Sequence, residues 1–172
     1  MSLKHFVASA LMTISMSGNS AEIAKSDFVK NPDPKAIELF DSVIPTVRDF
    51  HMNKDFAPSA AFVDAKGEIV DSELTTDGTA KITVQYALDY FTKEFKEAAS
   101  KGEIQTSIIF YHGNVVKRKY RVAATHDECN AVIAYVESKD FSYVVIVNYR
   151  SIAGGILYDK PIYSNIPHNI FK

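Results

Sequence analysis

The sequence predicts an α+β domain, an antiparallel β-sheet with helices packed on it, preceded by a signal peptide. Three observations predict it. Apolar residues recur at the 3.6-residue period between Val84 and Ala98, which marks a helix with one buried face. From Ile104 onward the pattern shifts to two-residue alternation and near-continuous apolar runs, the mark of strands. Glycine, proline and aspartate gather between these segments, where the chain must turn.

At the N-terminus, Lys4 and His5 precede an uncharged, mostly apolar run over residues 6–16, and Ser17, Gly18, Ser20 and Ala21 follow. A basic start, a short apolar middle and a small-residue zone is the order of a secretory signal. The run is too short to cross a bilayer, which takes about 20 residues. No cysteine lies near the cleavage zone, so no stable membrane anchor is expected there. The expected organisation is a signal peptide over 1–21, a linker over 22–32 and a single domain over 33–172, placed in the periplasm or secreted.

The domain should open with a helix. Asp33 can cap it, and Pro34 suits the first helical position, where its missing N–H costs nothing. Ala36, Phe40, Val43 and Val47 keep helical spacing, with Ile37 and Ile44 beside them. Pro45 interrupts the pattern, so the expected helix covers 34–44 with an irregular continuation toward Phe50. A hairpin follows: strand 60–63, a turn at Asp64-Ala65-Lys66-Gly67, and a return strand over 68–74. Asp77-Gly78-Thr79 breaks the pattern and offers a cap for the long helix. On that helix Val84, Ala87, Leu88, Phe91, Phe95 and Ala98 form the stripe, and Gly102 is its stop. Strands are then expected from Ile104, over the segment KRKYRVAAT, over 131–137 and over 143–149, with a turn at Ser138-Lys139-Asp140. Beyond Arg150, Gly154-Gly155, Pro161 and Pro167 suggest irregular chain or a short edge strand.

Composition narrows the function. The net charge is −2, from 19 basic and 21 acidic residues, which gives no broad electrostatic reason to expect nucleic acid. The one basic run, Lys117-Arg118-Lys119 with Arg121, reads as a solvated strand or loop. A single cysteine excludes an internal disulfide. No phosphate loop, dinucleotide fingerprint or paired ligand motif is present, and no cofactor or metal is expected.

Two clusters offer chemistry. THDEC, residues 125–129, places His126 three residues before Cys129, a thiol with a base nearby in sequence. On an extended strand an odd separation sends the two side chains to opposite faces, so the segment reads as a strand entry. Asp71 and Glu73 share a strand face beside Asp64 and Glu68, and two close carboxylates can divide acid and base roles. A solvent-facing strand explains them as well. His51, His112 and His168 stand far apart in sequence and offer a metal no local spacing. Nine tyrosines and no tryptophan make a tyrosine-rich β half, with Tyr111, Tyr135, Tyr143 and Tyr149 as candidates for a binding surface.

The stretches FAPSAAFVDAKGEIVDSEL, AASKGEIQTSIIFYH and DECNAVIAYVESKDFSYVVIVNYR resemble a group of small bacterial α+β proteins of uncharacterised function. That group shows a "PFG…GEI" hairpin, a helix ending in "GEI" before a long strand, and a closing hairpin ending in "PY". The resemblance spans roughly residues 56–149 and departs at Pro58-Ser59-Ala60, which lacks the glycine, and at Asn148, where proline is expected. It implies a fold and supplies no catalytic residue. The expected function is a non-catalytic, exported, protein-binding domain of immunity or accessory type, with a protein partner or its own homodimer. The alternatives are a small hydrolase using Cys129 or the carboxylate pair, and a ligand-sensing sheet domain.

Overall fold

In the computed structural model, residues 28–53, 57–72, 74, 83–116 and 128–172 are described. They form helix α1 (Pro34–Met52), strands β1 (Ser59–Asp64) and β2 (Ile69–Ser72), helix α2 (Val84–Ser100), and strands β3 (Ile104–Val116), β4 (Glu128–Ser138), β5 (Ser142–Ile152), β6 (Gly155–Tyr158) and β7 (Ile162–Asn165). The strands make one antiparallel, seven-stranded sheet in the order β2-β1-β3-β4-β5-β6, as the α+β reading requires. β7 also pairs with β5, through Tyr143 to Ile146, so β6 and β7 follow one another along the same outer edge.

The sheet is covered on both faces, which is why its central strands read as continuous apolar runs rather than clean alternation. Ala61, Ile108, Phe110, Val132, Val136, Val145 and Val147 face α1 and meet Leu39, Phe40, Val43 and Val47. Ala60, Ile109, Ile133, Val144 and Ile146 face the other way and meet Leu88, Phe91 and Phe95 of α2. On α2 the expected stripe holds at its centre, whereas Val84 at its first turn is exposed and Ala98 only partly buried. The cap is Thr83, whose Oγ1 accepts the N–H of Tyr86 at 3.1 Å. The cap expected at residues 77–79 lies outside the described residues.

α1 departs from expectation. It runs unbroken through Pro45 to Met52. Proline removes the hydrogen bond to the carbonyl four residues back, here Asp41. Both Asp41 and Pro45 face solvent, so water can satisfy that carbonyl. Val47 and His51 continue the buried face of Ala36, Phe40 and Val43, and their packing carries the helix on for two further turns.

The β1–β2 turn forms as the sequence suggests. Asp64 Oδ1 accepts the N–H groups of Lys66 and Glu68 at 2.8 and 2.9 Å, and Gly67 adopts φ +88°, which only glycine takes without strain. Past Arg150 the chain is more regular than expected, forming the outer strands β6 and β7. Of the segment read as linker, Phe28 bridges to Ser164 and Val29 donates to the Tyr163 carbonyl at 2.9 Å. The expected signal peptide and the KRKYRVAAT strand lie outside the described residues.

Candidate functional site

The last turn of α1 brings a histidine to the sheet. His51 lies four residues after Val47 on the buried stripe, and it is only 3% exposed. His112 follows Phe110 by two residues on β3, so strand alternation points it to the same face of the sheet, under α1. The two imidazoles meet through their Nε2 atoms, with ring centroids 4.0 Å apart and planes tilted by 55°.

Two tyrosines close the ends of this pair. His112 Nδ1 and the Tyr149 hydroxyl lie 2.9 Å apart, and the Tyr158 hydroxyl is hydrogen-bonded to His51 Nδ1. Tyr149 on β5 and Tyr158 on β6 are direct partners in the sheet, which places both rings on the α1 side. The Tyr158 ring stacks on His51 at 5.6 Å, and Arg48 Cζ stands 5.2 Å from the Tyr158 ring centroid. One tautomer assignment satisfies the whole chain: Tyr158 O–H donates to His51 Nδ1, His51 Nε2–H donates to His112 Nε2, and His112 Nδ1–H donates to the Tyr149 oxygen.

Desolvation dominates the electrostatics. Burial pushes the His112 imidazole down to about 4, and neighbouring His51 pushes in the same direction. Burial also lowers His51. The phenols of Tyr149 and Tyr158 are raised by burial, with Arg48 partly opposing the shift at Tyr158. The pair is therefore neutral at neutral pH and can accept a proton or pass one along the chain. Among the described residues no group of three or more His, Cys, Asp or Glu converges as a metal cage.

Beside this cluster the surface turns apolar. A groove bordered by Arg48, Met52, Ile156, Leu157 and Tyr158 runs between the end of α1 and β6. Met52, Ile152 and Leu157 are 69, 50 and 41% exposed. Ile152 and Leu157 occupy the face of the β5–β6 hairpin opposite Ile156 and Tyr158, so the hairpin is apolar on both faces.

The residues singled out in the sequence fare differently. Cys129 enters β4 with its backbone opposite Val115, and His126 lies outside the described residues. Asp71 is exposed on edge strand β2, and Glu73 lies outside the described residues. Tyr111 and Tyr143 are buried in the two opposite cores, and Tyr135 stacks against Tyr111 at 6.1 Å. Tyr111 and Tyr143 lie in the interior, and Tyr135 is half-buried against the α2-side core. Tyr149 alone of the four joins the histidine cluster. The His51–His112 pairing escaped the sequence reading because 61 residues separate the two. The signal was present in two periodicities: His51 extends the helical stripe, and His112 keeps the parity of Ile108 and Phe110.

Compared with family models, curated proteins and solved structures, the chain finds no match.

Proposed function

We propose that the chain is an exported, non-catalytic domain that binds another protein, and that it does so with the β5–β6 hairpin and the adjoining end of α1. The observation that carries this reading is the exposure of Met52, Ile152 and Leu157 at 69, 50 and 41% around a hairpin apolar on both faces. Left in water, such side chains contribute little to folding. Covering the exposed part of each adds about 0.6–2 kcal/mol, the matching fraction of the roughly 1.5–3 kcal/mol for a whole apolar side chain. Arg48 and Tyr158 border the same groove, and arginine and tyrosine are the residue types that most often dominate interface energetics.

Charge and backbone define the partner's chemistry. Arg48, Arg150 and Lys160 flank the hairpin against Asp159, so the complementary surface is an apolar cleft with an acidic rim. Among the described residues β6 ends the sheet order, which leaves an edge for main-chain pairing. A second copy of this basic, apolar hairpin lacks the acidic rim, so a different protein fits better than a homodimer. Export rests on the N-terminal pattern of Lys4, the apolar run and the small residues after it.

Affinity capture with wild type and with Leu157→Asp tests the reading. The aspartate adds charge to an exposed position and leaves both cores intact. Stoichiometric recovery of one partner by wild type, lost in Leu157→Asp with an unchanged melting temperature, is the expected result. Equal recovery by both proteins would remove the hairpin from the interface.

A further inference from the structure

Three lysines from three separate elements line one open cavity of about 470 Å³. Lys96 stands on the last turns of α2, and Ala99 and Ser100, three and four residues on, share its face. Lys139 stands on the turn between β4 and β5, and Lys172 follows Phe171 in the C-terminal segment. Burial lowers the Lys96 ammonium from its ordinary value, Lys172 pushes it the same way, and Glu137 opposes them. Among the described residues Lys96 and Lys139 have no carboxylate within ion-pair distance. Glu137 cannot turn outward to supply one. It is 4% exposed, and its oxygens hold the backbone N–H groups of Asn169, Ile170 and Phe171. The end of α2 adds little negative charge, because the carbonyls of Glu97, Ala98 and Ala99 accept the N–H groups of Lys101, Glu103 and Gly102.

We propose that this cavity binds a small amphiphilic anion, its carboxylate head held by Lys96, Lys139 and Lys172 and its short alkyl chain laid on Ala99, Ile170 and Phe171. An ammonium is a point charge with three rotatable donors, so three of them from different directions can share one carboxylate. Asn169 also lines the cavity and carries a neutral amide donor. Glu137 offsets part of the positive charge, which suits a singly charged head better than a phosphate monoester. Ile170 and Phe171 belong to the α2-side core, and with the methylene stem of Lys96 they give the cavity an apolar floor. Its volume falls within the range of roughly 300–1,000 Å³ common to small-molecule sites. The β5–β6 hairpin lies at the other end of β5, so the site neither uses nor depends on the docking surface.

Calorimetric titration of the full chain with sodium octanoate tests the proposal, with sodium acetate and octanol as probes that lack the chain or the charge. One octanoate per protein should bind, and acetate and octanol should each bind at least about tenfold more weakly. Lys96→Met and Lys139→Met keep an alkyl side chain and remove the charge, and each should weaken octanoate binding by about fivefold. Lys139 is exposed on a turn, so its replacement leaves both cores intact. In wild type, octanoate should shift the amide resonances of Lys96, Lys139 and Asn169, a readout that needs no variant to fold. No saturable uptake, acetate or octanol bound as tightly as octanoate, affinity unchanged in both lysine variants, or shifts confined to residues outside the cavity would each overturn the site.

Discussion

The carboxylate of Glu137 and the backbone of Ile170 are joined by a 2.8 Å hydrogen bond. The same carboxylate accepts the N–H groups of Asn169 at 2.9 Å and Phe171 at 2.9 Å. Glu137 ends β4 inside the protein, and its oxygens hold the C-terminal segment so that Ile170 and Phe171 enter the α2-side core. His168 Nδ1 stands 3.4 Å from the same oxygen. A buried carboxylate is stable here because three consecutive backbone donors replace its water.

Replacing Glu137 by alanine leaves those donors without an acceptor and releases two apolar anchors. The expected loss is at least about 3 kcal/mol, since hydrogen bonds to charged groups contribute roughly 1.5–3 kcal/mol each and the freed donors recover part of this from water. Glu137→Gln, which keeps one carbonyl acceptor, should lose less. Urea denaturation of both variants checks the order.

Phe91 sits fully buried at the centre of the α2 stripe, stacked on Phe95 with centroids 6.1 Å apart. Phe91→Ala should destabilise by about 3–5 kcal/mol, the range for aromatic-to-alanine changes in cores. A urea midpoint equal to wild type would mean that the helix buries a different face.

Asn148 is 2% exposed, and neither its amide nitrogen nor its oxygen has a hydrogen-bond partner. Strand parity puts it on the α2 side, beyond Val144 and Ile146 and beside Ala131. A buried, unpaired amide costs about 1–3 kcal/mol. Asn148→Leu, similar in size and apolar, should therefore raise the thermal midpoint, and a lowered midpoint would show that the amide has a partner.

Protonation of the imidazole pair sets a pH dependence of stability. The folded state lowers His112 from 6.5 to about 4, so the unfolded chain binds the proton more readily. Stability from this group is complete above pH 6.5, falls as pH drops from there toward 4, and levels off below. His112→Asn should flatten that interval in a series of denaturant midpoints, and an unchanged slope would place the acid sensitivity elsewhere.

Export predicts a chain starting near Ala21 or Glu22 when made in an exporting host. Intact mass spectrometry reads this directly, and a full-length cytoplasmic product would contradict it.

Where local chemistry decides structure, the sequence is readable. The α2 stripe, the Asp64–Gly67 turn and the turn between β4 and β5 follow from periodicity and turn residues, and each stands where these place it. α1 was harder because the local penalty of Pro45 is outweighed by distant packing at Val47 and His51, which a short window does not contain. β6 and β7 are short and interrupted by glycine and proline, and they are strands because β5 offers them an edge. The tyrosines show the same limit: composition marks residues able to bind, but strand parity and the covering helices decided that Tyr111 and Tyr143 are interior. The histidine chain needed four elements to come together before any of its bonds existed.

A photo-crosslinking residue at position 157, compared with one at exposed Lys139 on the turn between β4 and β5, tests protein binding through the hairpin most directly. Irradiation in the native compartment should give a single heterologous adduct from position 157, none from position 139, and loss of the adduct when Met52→Asp is added. No adduct from position 157, or the same adducts from both positions, would contradict it.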